Sequence, residues 1–288
     1  MRPGSGKRVA LWAGAVTLAV LAAAAGLNWQ HLRFWWLFEP LGRNAQGCRE
    51  YRHRRTGMVF VRLPGGTFWM GAQSSDPEGQ NYDPDAEEDE GPVHQVRLRP
   101  FLIGKFEVTQ AQWKAVMGTS PSFSEGDENP VERVSWNDCQ GFLRKFGPMV
   151  GRNGCRLPTE AEWEYACRAG THTPFSYGDD PDLRALGEYS WHRSGGSDRA
   201  HPVGEKRPNP WGLHDMHGNV SEWCQSLYGP YPYDASDGRE APAWGDLRVL
   251  RGGSWLDHLP RQCRTAYRSN HFPDIQGYVC GLRVVLDF

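Results

Sequence analysis

The chain has 288 residues, with 32 Lys or Arg against 34 Asp or Glu and a formal net charge of −2 at pH 7. That balance lacks the basic excess of a nucleic-acid binder, and 39% hydrophobic content excludes a charge-extended disordered chain. Thirty-four glycines and 21 prolines interrupt regular elements while 13 tryptophans supply large buried area, so a compact, loop-rich fold with short helices and strands is expected.

Arg2, Lys7 and Arg8 mark residues 1–8 as a basic segment. An uncharged run, Val9 to Leu27, follows and is about long enough to cross a bilayer as one helix. Trp29, Trp35 and Trp36 come next, where an interfacial aromatic belt would sit. The positive flank predicts a single-pass anchor over 9–27 in the cytoplasmic (inner) membrane, with the bulk of the chain on the periplasmic or extracellular side. A cleaved signal peptide, with Ala22–Ala25 as its cleavage region, is the alternative, and it also exports the bulk of the chain. Residues 28–56 read as a juxtamembrane linker, and 57–288 as the folded domain. Seven cysteines leave at least one unpaired in an exported protein; no CxxC spacing marks a zinc ribbon, and several cysteines are expected as small buried hydrophobes.

Within the domain, Met58–Leu63 and Thr67–Gly71 read as strands joined by the Pro64-Gly65-Gly66 turn, an opening hairpin. Asp76 to Glu90 carries eight acidic residues and is expected as a solvated loop, since its spacing lacks the oxygen ladder of an EF-hand. Strands are expected over Val93–Leu98 and Phe101–Val108. Thr109 with Gln112 fits a capping box opening a short helix with Trp113, Val116 and Met117 on one face. Ser135 starts a second helix, whose Trp136, Cys139, Phe142, Leu143 and Phe146 repeat at helical spacing as core. Thr159 and Glu162 cap a third, which Gly170 closes. No internal repeat and no Walker, Rossmann or HExxH motif is present.

Several segments together resemble one family. They are Leu63–Gly71, Phe106–Thr109, Pro130–Trp136, Arg156–Ala166, Asn209–Trp223 and Arg251–Trp255 (RGGSW). Their order and spacing over roughly 57–288 are similar to the formylglycine-generating enzyme, or sulfatase-modifying factor, superfamily. The resemblance implies an elaborated C-type-lectin-like α+β fold with little regular secondary structure.

In Asp215–Glu222, two carboxylates flank a glycine turn, and a hard cation such as calcium favours carboxylates joined by backbone carbonyls. An N-capped turn with Glu222 solvated is the alternative. The resemblance implies structural Ca2+ with Asp215 and Glu222 giving side-chain oxygens and Gly218 and Val220 giving carbonyls. His214 and His217, which flank the segment, are expected to be solvated or hydrogen-bonded. The matching stretch of a second calcium loop, near Gly187 to Asp198, suggests no ligands.

The family oxidises a substrate cysteine with O2, using copper held by two thiolates, which suit Cu(I). Its first cysteine lies three residues after the RGGS serine and its second five further on. Those positions here are Asp257 and Gln262, with Cys263 one residue beyond. The missing pair argues against copper and against formylglycine generation, and Cys263 reads as a buried structural thiol. Ser254, Trp255, Asp257, His258 and Cys263 are the expected cleft residues, with Asp257 and His258 as a candidate metal or acid–base pair. Two classes of function remain. One is an oxidoreductase acting on an exported protein or peptide partner or on a small-molecule substrate. The other is a non-catalytic, lectin-like binding or scaffold module of an envelope complex. Nucleic acid is not expected as a partner.

Overall fold

A computed structural model describes residues 29–151, 154–241 and 246–287. The expected basic segment and anchor, 1–27, lie outside the described residues, and no helix among the described residues is long and apolar enough to cross a membrane. The fold is a mixed α+β arrangement of three small sheets with few helices.

The expected linker is instead structured. It forms α1 (Trp29–Leu37), β1 (Phe38–Arg43) and β2 (Arg49–His53). Apolar side chains draw this segment inward: Phe34, Phe38 and Tyr51 are buried, and Phe34 stacks on Phe38 at 4.6 Å. β3 (Val59–Leu63) and β4 (Gly66–Met70) do not form the expected hairpin. β3 pairs with β2 and with β6 (Phe101–Gly104), while β4 pairs with β5 (His94–Leu98). Gly65 explains the redirection. Its φ is +69°, and a Cβ there would lie 2.6 Å from the Arg99 carbonyl carbon, so the chain passes against the β5–β6 turn and leaves the sheet. β6 ends at Gly104, short of the expected Val108.

β6 also pairs with β12 (Val285–Asp287), which pairs with β7 (Cys155–Arg156). The six-stranded sheet thus runs β1-β2-β3-β6-β12-β7. A second sheet runs β10-β9-β8-β11, from Ser269–His271, Arg248–Arg251, Ser221–Leu227 and Cys280–Gly281. Its β8 and β11 are parallel, with Gly281 opposite Glu222.

The helices follow their caps. α2 (Gln110–Met117) carries the Thr109–Gln112 capping box, and α3 (Trp136–Val150) a Ser135–Asp138 box. Trp113 stacks on Phe142 at 5.1 Å, joining the two helices inside the main core with Cys139 and Phe146. α4 (Glu160–Arg168) has the Thr159–Glu162 box, and its left-handed cap is Ala169, one residue ahead of the expected Gly170. A single turn, α5 (Leu186–Tyr189), follows. All seven cysteines are free thiols, five of them buried.

Buried arginines tie the layers together. Arg251 pairs with Glu164, which also holds Arg168; Arg268 pairs with Glu160, and Arg283 with Glu222. Arg264 binds Asp83 at 2.6 Å and Glu90 at 2.6 Å. The acidic segment is therefore only partly the solvated loop expected. Asp76, Glu78, Asp85, Glu87 and Glu88 are exposed, but Asp83 and Glu90 are buried against a guanidinium 174 or more residues away.

Candidate functional site

The turn that carries the expected calcium ligands enters β8. Asp215 (φ 60°) and Asn219 (φ 68°) take left-handed backbone, and at Gly218 (φ 155°) a Cβ would lie 2.4 Å from Ser190 Oγ and 2.6 Å from the Trp191 carbonyl oxygen. The turn is thus pressed onto the 190–191 segment, and only glycine permits the approach.

Its four expected ligands have distinct fates. Glu222 is fully buried, and Arg283 donates to both of its carboxylate oxygens, with Nη2 at 2.7 Å. Trp163 Nε1 adds a fourth bond at 2.8 Å. This carboxylate is a counter-ion, neither solvated nor open to a metal. Asp215 differs. Its Oδ2 accepts from the Gly204 amide at 2.7 Å, while its buried Oδ1 has no hydrogen-bond partner. Gly218 and Val220 are buried in the turn between them.

Glu107, which follows β6, is the residue that sequence reasoning missed here. Its Oε1 accepts from the Val220 amide at 3.0 Å and its Oε2 from Asn219 Nδ2 at 2.7 Å, so it braces the turn from below. Burial pushes the Glu107 carboxyl well above its ordinary range, and the charges of Asp215 and Glu222 push it further. Burial likewise brings Asp215 up to about 6, against the Gly204 bond and the Arg283 charge. Phe106-Glu107-Val108-Thr109 recurs in the motif set, but only the tertiary fold sets Glu107 beside residue 215.

Calcium can be weighed on these observations. An orphaned, buried Asp215 oxygen beside a second buried carboxylate has the chemistry of a hard-cation donor set. Glu222 does not fit that set, because its oxygens are already taken by Arg283 and Trp163. Among the described residues, no three His, Cys, Asp or Glu side chains gather as a metal-holding group.

His214 and His217 are hydrogen-bonded rather than solvated. His214 Nδ1 meets the Lys206 carbonyl at 2.9 Å. His217 is buried between the Cys263 carbonyl at 2.8 Å and Ser176 Oγ at 2.7 Å, and burial holds its pKa down to about 4.

The RGGS segment packs on the same turn. Ser221 Oγ donates to the Gly253 carbonyl at 3.2 Å, and the Trp255 amide to the Asn219 carbonyl at 2.8 Å. Gly253 has φ +70°, and a Cβ there would meet Cys263 Sγ and the Gln262 carbonyl oxygen, each at 2.9 Å. Ser254 is buried; its amide donates to Asp257 Oδ2 at 2.6 Å and its hydroxyl to the same oxygen at 3.1 Å. Burial raises the Asp257 carboxyl, and the Ser254 bonds and the nearby His258 work against that rise.

Ser254, Asp257 and Cys263 are therefore brought together, but His258 is exposed and forms no hydrogen bond or ion pair with Asp257. The expected Asp257–His258 pair is thus not hydrogen-bonded, and His258 acts on Asp257 through its charge alone. Cys263 ends a short 3-10 turn (Pro260–Cys263) and packs on Phe175 and Leu186. Ser190 Oγ lies 3.8 Å from its sulfur and 3.2 Å from His192 Nδ1. Burial pushes the thiol up to about 12, so it is protonated and inert at neutral pH. On the far side of this turn, Arg261 and Arg264 border a cavity of about 500 Å3 that Tyr82, His172, Phe175 and Leu183 also line.

The description "Sulfatase-modifying factor enzyme 1-like domain" matches residues 46–288. A formylglycine-generating enzyme of Streptomyces coelicolor is 32% identical, over 79% of this chain and 88% of the relative. The mouse protein named "Inactive C-alpha-formylglycine-generating enzyme 2" is 28% identical, over 78% of this chain and 84% of that relative. Among solved structures, PvdO from Pseudomonas aeruginosa superposes with a TM-score of 0.68 at 26% identity, covering 83% of this chain and 98% of that one.

Proposed function

We propose, from the premise that the chain belongs to the sulfatase-modifying factor enzyme 1-like family, that it is a binding module on that fold and not a copper–thiolate oxidase. One observation carries this reading. At the position three residues past the RGGS serine stands Asp257, closed onto Ser254 by two hydrogen bonds, and the two thiols that feel its charge, Cys263 and Cys280, are both buried. A motif with a carboxylate in place of its first thiolate does not supply the two sulfurs that Cu(I) requires. A family member named as inactive is in keeping with this, although its name speaks only for itself. The cavity beside Arg261 is of the size that accepts a side chain or a small ligand of an exported partner.

The reading includes a membrane anchor over 9–27 and a structural Ca2+ at the 215–222 turn. Asp215 would hold the ion with the Gly218 and Val220 carbonyls, and Glu222 would serve Arg283. Calcium there would supply charge compensation and a clip between loops.

The test is direct. Purified full-length protein is incubated in air with copper and a Cys-x-Pro-x-Arg peptide, and the peptide is followed by mass spectrometry with metal analysis of the protein in parallel. An unchanged peptide is expected, and conversion of its thiol to an aldehyde would overturn the proposal.

A further inference from the structure

We infer that a groove between α1 and the C-terminal half of α3 is a binding site for the phosphate of an anionic membrane phospholipid headgroup, one whose phosphate charge no choline or other headgroup cation offsets. It rests on the reading of residues 9–27 as a membrane anchor. Four observations support it.

The first is position. α1 begins at Trp29, and only Asn28 separates it from the apolar run that ends at Leu27. Arg33 stands four residues into α1, about 6 Å along its axis, a rise comparable to the roughly 5–8 Å depth of one headgroup layer. The second is rigidity. Phe34 and Phe38 stack on each other inside the main core, and Tyr51 meets Phe34 edge-on at 5.2 Å. α1 is thus packed as part of the domain.

The third is charge. The groove, about 490 Å3, is lined by Arg33, Arg144, Gln140, Leu143, Pro148 and neighbouring small residues, with no Asp or Glu. Arg33 and Arg144 are exposed, and neither forms an ion pair among the described residues. Gly151 keeps the floor open, since a Cβ there would lie 2.7 Å from Arg33 Nε. Two guanidinium groups over an acid-free groove suit a phosphate diester, which they can grip by paired N–H donors. The fourth is the rim. Trp36 is 77% exposed and Trp35 42%, on the same short helix. Indole rings so placed settle at the bilayer interface. The C-terminal dipole of α3 would by itself attract Arg33. It does not account for Arg144 or for the exposed tryptophans.

The experiment uses the full chain in nanodiscs of phosphatidylcholine alone or with phosphatidylglycerol, read by amide hydrogen exchange. Anionic lipid is expected to slow exchange over residues 30–37 and 141–150, with α4 unchanged as an internal control. Arg33→Gln with Arg144→Gln is expected to abolish that slowing; both side chains are exposed, so the fold is retained. Equal exchange in the two lipids, or slowing that persists in the double variant, refutes the site. Protection of the same segments by inorganic phosphate in lipid-free detergent overturns the lipid assignment in favour of a soluble phosphate ligand. Failure of the anchor is seen separately, as release of the chain from membranes by alkaline wash. The groove is then judged by co-sedimentation with phosphatidylglycerol vesicles. Each arginine near an anionic surface contributes about fivefold, so roughly 25-fold weaker binding of the double variant is expected and equal binding refutes the site.

Discussion

Replacing Glu222 by glutamine tests the assignment of that residue as a counter-ion. The substitution keeps the volume and leaves an acceptor for Trp163 Nε1, but it strands the Arg283 charge at a site with no solvent exposure. Arg283 keeps two carbonyl partners, Gly104 and His214, each at 2.9 Å, which soften the loss. Breaking a buried pair from one side costs about 3–5 kcal/mol, and the remaining carbonyls place the expectation at the low end, ~3 kcal/mol. For a domain of this size that corresponds to a fall in Tm of about 6–12 °C. Urea unfolding of Glu222→Gln, Arg283→Met and the double variant closes a thermodynamic cycle. The double variant is expected to be more stable than Glu222→Gln alone, because neither member of the Glu222–Arg283 pair is left buried without the other. A single-variant loss below about 1 kcal/mol, or strict additivity, would refute the counter-ion assignment. The same variants melted with calcium and with chelator give a second reading. If Glu222 serves Arg283, calcium still raises the Tm of Glu222→Gln; if the response disappears with Glu222, that residue is a ligand after all.

Three further outcomes are expected. Asp215→Asn removes the rise in Tm on adding calcium, measured by scanning calorimetry, and an undiminished rise would show that the ion sits elsewhere. Gly253→Ala destabilises by more than the ~1–2 kcal/mol of a left-handed alanine, since its methyl also meets Cys263 Sγ and the Gln262 carbonyl. Gly118→Ala, with similar φ and open space around it, supplies the comparison in the same urea titration. Burial tends to raise the Asp138 carboxyl, but hydrogen bonds from Ser135 and Gln276 outweigh it and bring the pKa below its ordinary value. A carboxyl depressed in the folded state stabilises at neutral pH, and that contribution is lost as pH falls below about 4. Asp138→Asn is therefore expected to flatten the acid limb of the stability profile, and an unchanged slope would count against the cap.

The helices were legible because their signals are local. Thr109 with Gln112 and Thr159 with Glu162 satisfy the first amides within one turn, and Trp136, Cys139, Phe142 and Phe146 return to one face by helical period alone. The strands were visible individually, but their pairing was not. β3 passes over its nearest neighbour in sequence to join β6 and β2, a choice made by Gly65 packing on a distant turn. The 28–56 segment showed its aromatic and basic character, yet nothing local revealed that Phe34 and Phe38 complete a core. At the site, the RGGS serine and the two carboxylates of the 215–222 turn stood out by motif. Glu107 and Arg283 reach that turn, and Ser190 with His192 reach Cys263, across long sequence separations, so no spacing rule points to them.

The order of charges along the chain has a consequence for assembly. Asp83, Glu90, Glu160, Glu164 and Glu222 all precede Arg251, Arg264, Arg268 and Arg283, the cations that neutralise them in the interior. The strand at 285–287 also enters the largest sheet as its fifth of six strands, between β6 and the edge strand β7. Before residues 251–287 are made, four of these acids, Asp83, Glu90, Glu160 and Glu222, lack their buried partners, Glu164 has Arg168 alone, and the sheet lacks the strand that joins β7 to β6. Native packing of the earlier layers therefore waits on the segment that begins at Arg251.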